Sequence, residues 1–193
     1  MNNHLIKTFW ALLLLTLAAW TVPSPASAQA INENWQEQLG AALADFKGCQ
    51  QTAGDDCAKY TGQALQKVYR INDFYSQEKG RYLTTSEISE FLVKSKAWGL
   101  LGHSYEQETL NNAQQRANSS RAVVAVYTND EGLGHVVLVT PGKLQPSGSW
   151  GLSVPTVASF FATQPEKSFV DKGLSFAFGK NLMKDVLIYA RNY

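Results

Sequence analysis

The chain has 193 residues, with 17 lysines and arginines against 16 aspartates and glutamates, for a formal charge of +1. A near-neutral chain with no basic tract, low-complexity segment or internal repeat offers no electrostatic footing to a nucleic acid or an anionic membrane surface. With two cysteines, three histidines and no C-x-x-C or H-E-x-x-H motif, it lacks a zinc-ligand pattern, and P-loop, dinucleotide-glycine and G-x-S-x-G motifs are missing too, so no cofactor is expected.

The chain opens with a short segment, Met1 to Lys7, carrying one positive charge, then an apolar run from Thr8 to Trp20, then T-V-P-S-P-A-S-A-Q-A. This is the three-part pattern of a secretory signal peptide, with small-x-small cleavage sites after Ala28 and after Ala30. The apolar run is shorter than the roughly 20 residues needed to cross a bilayer, and no later stretch is longer, so no transmembrane segment is expected after cleavage. Residues 1–28 are read as the leader and residues 29–193 as a single domain, long enough for one complete core. The expected location is periplasmic or secreted, from a bacterium. Such a compartment permits a disulfide without requiring one.

Four helices are expected in the first half. Trp35, Leu39, Leu43 and Phe46 recur at helical spacing from Asn34 to Lys47, with Gly48 as a stop. After a loop from Cys49 to Asp55, Asp56 is the expected N-cap of a second helix whose first residue is Cys57 and whose buried face carries Tyr60, Ala64 and Val68. Residues 71–82 read as irregular. Thr84 and Glu87 have capping-box spacing for a third helix running to about Lys94, and Ser104 and Gln107 have the same spacing for a fourth, ending near Asn118.

The period then changes. A-V-V-A-V-Y (Ala122 to Tyr127) and H-V-V-L-V-T (His135 to Thr140) are β-branched runs joined by T-N-D-E-G-L-G, the pattern of a β-hairpin. Further strands are expected at Ser149–Val154, Val157–Phe161, Leu174–Phe178 and Asp185–Arg191. Helices first and strands second indicate an α+β fold with a mostly antiparallel sheet.

A cysteine at the start of a helix lies near the positive end of the backbone dipole, which favours the reactive thiolate, and its own amide can receive a tetrahedral oxyanion. Asp55 and Asp56 oppose this by raising the thiol pKa. Acyl transfer also needs a base, usually histidine. Of the two histidines beyond the leader, His103 sits in a glycine-punctuated loop, W-G-L-L-G-H-S, whereas His135 follows Gly132-Leu133-Gly134 at the start of a strand and is the better candidate. The competing readings remain open: Cys49 and Cys57 can close a small disulfide ring, and His135 can be an ordinary hairpin-end residue. Trp98, Trp150, Phe160 and Phe161 fit a substrate groove or, as aromatics more often do, the core. The turn-rich Gln145–Gly151 fits either a ligand-contacting loop or a plain connection.

Cys57 at a helix start, followed by A-V-V-A-V-Y…G-L-G-H-V-V-L-V-T-P-G, resembles the papain-like bacterial cell-wall hydrolases, the NlpC-type and CHAP-type cysteine amidases and peptidases. The segment N-N-A-Q-Q-R-A-N-S-S-R-A-V-V-A-V-Y is similar to the stretch before the histidine strand in secreted members, and the resemblance covers about residues 55–161. It implies N-terminal helices packed on a mostly antiparallel sheet, with Cys57 as nucleophile, His135 as general base and acid, and peptidoglycan as substrate, cut at a stem-peptide bond or at the lactyl-amide bond. A protein inhibitor is a compatible partner. The resemblance also implies a third, polar residue orienting the imidazole from the strand after the histidine strand, where Ser149, Ser153 and Thr156 are the candidates. The rival expectation is a secreted binding or inhibitory protein that uses Cys49–Cys57 as a staple and holds its partner on the sheet surface and the Trp150 loop.

Overall fold

The computed structural model describes residues 30–49 and 57–193. The leader expected at residues 1–28 and the N-cap expected at Asp56 lie outside the described residues. The expected first helix forms as α1 (Trp35–Lys47), burying Trp35, Leu39, Ala42 and Phe46 and ending at Gly48. Next comes α2 (Lys59–Tyr69), which starts two residues later than expected, so that Cys57 lies in the turn before the helix and Ala58 is its N-cap. Residues 71–82, read as irregular, contain a small hairpin of β1 (Tyr75–Ser76) and β2 (Arg81–Tyr82). The helix α3 (Thr85–Lys94) begins with the expected capping box between Thr84 and Glu87.

The next segment departs from expectation twice. The segment around His103 is a strand, β3 (Trp98–His103), and α4 (Gln107–Asn118) is capped by Glu106 rather than Ser104. Ser104 is buried, its amide donating to the Val186 carbonyl and its hydroxyl to the Met183 carbonyl. The Glu106 carboxylate instead folds back to accept from the His103 amide and the Thr109 hydroxyl.

The remaining strands are β4 (Val123–Thr128), β5 (Gly134–Val139), β6 (Gln145–Ser147), β7 (Leu152–Val154), β8 (Thr156–Ser159), β9 (Phe169–Gly173) and β10 (Leu187–Arg191). Leu174–Phe176, expected in a strand, form a 3-10 turn, and the strand lies just before it as β9. Six strands join in the order β3-β10-β4-β5-β8-β9, every neighbouring pair antiparallel, and β6 and β7 form a separate hairpin. The molecule is therefore a mixed α+β fold with four α-helices and an antiparallel main sheet.

Every residue of Val123–Val126, Val136–Val139 and Thr156–Ser159 is buried, so both faces of the central strands are covered. This explains their continuous apolar runs, because a strand with one wet face would alternate. The cover is bonded on as well as packed on. The Tyr69 hydroxyl donates to the Val139 carbonyl at 2.8 Å, and Gln114 of α4 donates to the Thr140 carbonyl while accepting from the Thr156 amide. Helices α1 and α2 meet at Phe46, whose ring is edge-on to Tyr60 at 5.0 Å and to Phe160 at 5.3 Å. Full burial of such a ring contributes about 2–3 kcal/mol. That three-ring contact sets the start of α2 beside the end of β8.

Candidate active-site cleft

The β4–β5 hairpin delivers His135. Asn129 builds the turn, its side-chain oxygen accepting from the amides of Glu131 and Leu133, and Gly132 takes the left-handed φ of +76° that the turn needs. Gly134 lies opposite Thr128, and a side chain there would collide with the Tyr127 carbonyl. A glycine is thus required for His135 to start its strand this close to β4.

Register then decides what His135 meets. Val137 pairs with Ser159 and Val139 with Val157, so His135, two residues earlier on the same face, has Ser159 as its diagonal neighbour on β8. Its Nε2 shares a hydrogen bond of 2.7 Å with the buried Ser159 hydroxyl. The Phe161 ring stacks on the imidazole at 4.3 Å and 11°, and Phe178 meets it edge-on at 5.6 Å. Burial among these groups holds the His135 pKa down at about 4, so the ring is neutral at neutral pH.

A cleft of about 140 Å³ opens in front of the imidazole. Its walls are Cys57, Ala58 and Thr61 from the start of α2, Thr85 from the start of α3, Gly134 and His135 from β5, and the segment Phe160–Thr163 after β8. Cys57 and His135, the two candidates from sequence, therefore share one cleft. The free thiol that a nucleophile needs is nevertheless not the state seen, since Cys57 is bonded to Cys49 (Sγ–Sγ 2.06 Å, Cα–Cα 6.1 Å). Of the two readings left open for this cysteine, the structure holds the disulfide.

The three orienting candidates are elsewhere. Ser149 contacts the Ser147 hydroxyl, Ser153 is held by Gln107 of α4, and the Thr156 hydroxyl donates to the Lys143 carbonyl at the far end of β8. The side chain that does reach the His135 imidazole is Ser159. His103 sits at the end of edge strand β3, with Nδ1 3.1 Å from the Lys184 carbonyl and its ring stacked on Tyr105. It takes no part in the cleft. Trp98 and Trp150 are buried in the core, Trp98 donating to Asp73, whereas Phe160 and Phe161 do line the cleft. Gln145–Gly151 forms β6 and the turn after it and does not line the cleft.

Among the described residues no cluster of three or more His, Cys, Asp or Glu side chains is placed to hold a metal ion, and no helix is long and apolar enough to cross a membrane. No protein-family model matches the chain, and no curated protein matches it.

Proposed function

We propose that the protein is a papain-like cysteine hydrolase, an amidase or endopeptidase acting on peptidoglycan outside the cytoplasmic membrane. The observation that carries this reading is the single cleft lined by Cys57 and His135, with Ser159 bonded to the imidazole from behind. The secretory leader and the resemblance of the G-H-V-V-L-V-T-P-G strand to cell-wall hydrolases support the substrate class.

In the reduced protein, Nε2–H of His135 donates to Ser159, which leaves the Nδ1 lone pair for the Cys57 thiol proton. The sulfur attacks the amide carbon, and the oxyanion is stabilised by backbone amides at the positive end of α2. His135 returns the proton to the departing amine. The same imidazole then deprotonates water, which hydrolyses the thioester and frees Cys57. Phe161 fixes the plane of the ring throughout, and Ser159 anchors it at Nε2.

The test is digestion of purified peptidoglycan by the reduced protein, with mass spectrometric identification of the new amine and carboxyl termini. Cys57→Ala and His135→Ala are expected to remove the new termini while circular dichroism stays unchanged. Undiminished cleavage in either variant would refute the assignment. The Cys49–Cys57 bond favours a second reading, a binding or inhibitory protein in which the sulfurs serve only as a staple. Reduced protein that binds peptidoglycan and never cuts it would favour that reading.

A further inference from the structure

We infer that Cys49 is a redox lock on the cleft: bridged to Cys57 it silences the site, and a dithiol reductant opens it by releasing the Cys57 thiolate beside His135. This inference rests on the hydrolase reading and specifies how the same site is regulated.

The argument begins with the position of the bond. A staple can be placed anywhere that two backbone segments come close, whereas this one ends on a residue that lines the cleft shared with His135. The chain has no third cysteine, so intramolecular oxidation of Cys57 can run only through Cys49.

The elements it ties are also joined without it. Phe46 of α1 packs against Tyr60 of α2, the Asn32 amide donates to the Val68 carbonyl, and the Asn32 side chain donates to the Lys67 carbonyl at 2.8 Å. Opening the bond therefore leaves α1 seated on α2. Cys49 stays nearby as well, because its amide donates to the carbonyl of the buried Phe46 at 2.9 Å. A tethered thiol of this kind re-forms the bond as an intramolecular event at high effective concentration, so the lock is reversible.

The two sulfurs differ in access. Cys57 is 2% exposed, whereas Cys49 is only partly buried at the end of α1. The thiolate of a dithiol reductant thus attacks the Cys49 sulfur; a new S–S bond forms there as the Cys49–Cys57 bond breaks, and the electron pair leaves on Cys57. The leaving sulfur is at the positive end of α2, which stabilises it as thiolate and speeds this direction of cleavage. The second thiol of the reductant then displaces Cys49, giving the oxidised cyclic reductant, a Cys49 thiol and a Cys57 thiolate that is protonated or used by the site. Two electrons pass from reductant to protein.

The experiment uses the full-length exported protein, purified without reductant, and measures release of soluble fragments from purified peptidoglycan sacculi as the dithiothreitol concentration is raised. Mass spectrometry after alkylation counts free thiols at each point. The bridged wild type is expected to cut at less than one-hundredth of the reduced rate, with activity rising in proportion to free Cys57. Cys49→Ser is expected to cut equally with and without dithiothreitol. Bridged wild type that cuts at the reduced rate overturns the lock and the nucleophile assignment together, because a bonded sulfur cannot attack. Cys49→Ser that cuts but still needs the dithiol overturns the lock alone. If the wild type with Cys57 counted as free leaves sacculi intact, the hydrolase reading itself fails and takes the lock with it; this arm depends on no variant's folding.

Discussion

Ser159 presents its hydroxyl 2.7 Å from Nε2 of His135, across two adjacent antiparallel strands, and both side chains stand on the sheet face that forms the back of the cleft. In the proposed hydrolase the task of such a group is to hold the imidazole at a fixed angle to the thiol. A buried serine can hold the ring in place without adding a charge to the site, because its hydroxyl can donate to or accept from Nε2.

Ser159→Ala is therefore expected to lower kcat of the reduced protein about tenfold to a hundredfold, the scale of one lost buried hydrogen bond expressed as a rate. KM should stay within about twofold, since Ser159 stands behind the imidazole. Steady-state kinetics on soluble muropeptides separate the two parameters. A rise in KM at constant kcat would place Ser159 in substrate binding instead.

The partly buried imidazole also makes stability depend on pH. The unfolded chain protonates His135 near its ordinary pKa of 6.5, whereas the fold resists the proton down to about pH 4. Between these values the unfolded state binds more protons, so stability falls as pH drops through the window. Above pH 6.5 both states are neutral, and below about pH 4 both are protonated. The whole loss is on the order of 3 kcal/mol. Guanidinium midpoints at pH 7.5, 5.5 and 4 are expected to decline more steeply for wild type than for His135→Gln, in which carboxylate contributions persist and this one is gone. Parallel curves would contradict the account.

The disulfide should contribute stability on a modest scale. Eight residue positions separate Cys49 from Cys57. Closing so short a loop in the unfolded chain is worth about 2–3 kcal/mol by loop entropy. Cys49→Ser is thus expected to lower Tm by about 5–10 °C and still fold. Calorimetry of wild type and variant measures the difference, and a variant with no cooperative transition would mean that the bond is indispensable to the fold.

How far the sequence foretold all this depended on the range of the interaction concerned. The capping box at Thr84 and Glu87, the α1 stripe and the A-V-V-A-V-Y/H-V-V-L-V-T hairpin are signals written in neighbouring residues, and all three are present. The strand β3 was unreadable because Gly99 and Gly102 interrupt it, and its pairing partner is β10, nearly ninety residues away. Ser104 carried local capping spacing but was drawn into the core by carbonyls of the 183–186 segment. In the cleft, Cys57 and His135 announced themselves by residue type and context. Ser159 did not, because its contact with His135 follows from the Val137–Ser159 register, and a serine within V-A-S-F-F has no local feature that marks it. Thr85 likewise enters the cleft only through the packing of α3 beside the hairpin.

Gly134 joins fold and site, and its substitution tests both. A Cβ at that position would overlap the Tyr127 carbonyl and approach the Thr128 Cα to 2.9 Å, and backbone atoms cannot rotate away as a side-chain end does. Gly134→Ala must instead part β4 from β5 at the residue that precedes His135. The expected cost is about 2–3 kcal/mol, the scale of overpacking in a rigid setting. Because the displacement falls on the histidine, activity of the reduced protein should drop by more than the loss of folded protein explains. Gly40→Ala in α1 is the matching control: nothing lies within 4 Å of its added Cβ, so helix propensity alone acts and a gain of about 0.5–1 kcal/mol is expected. Thermal denaturation of both variants, with activity normalised to the folded fraction, gives the comparison; a Gly134→Ala protein as stable and active as wild type would show that the hairpin yields freely and that glycine is not what positions His135.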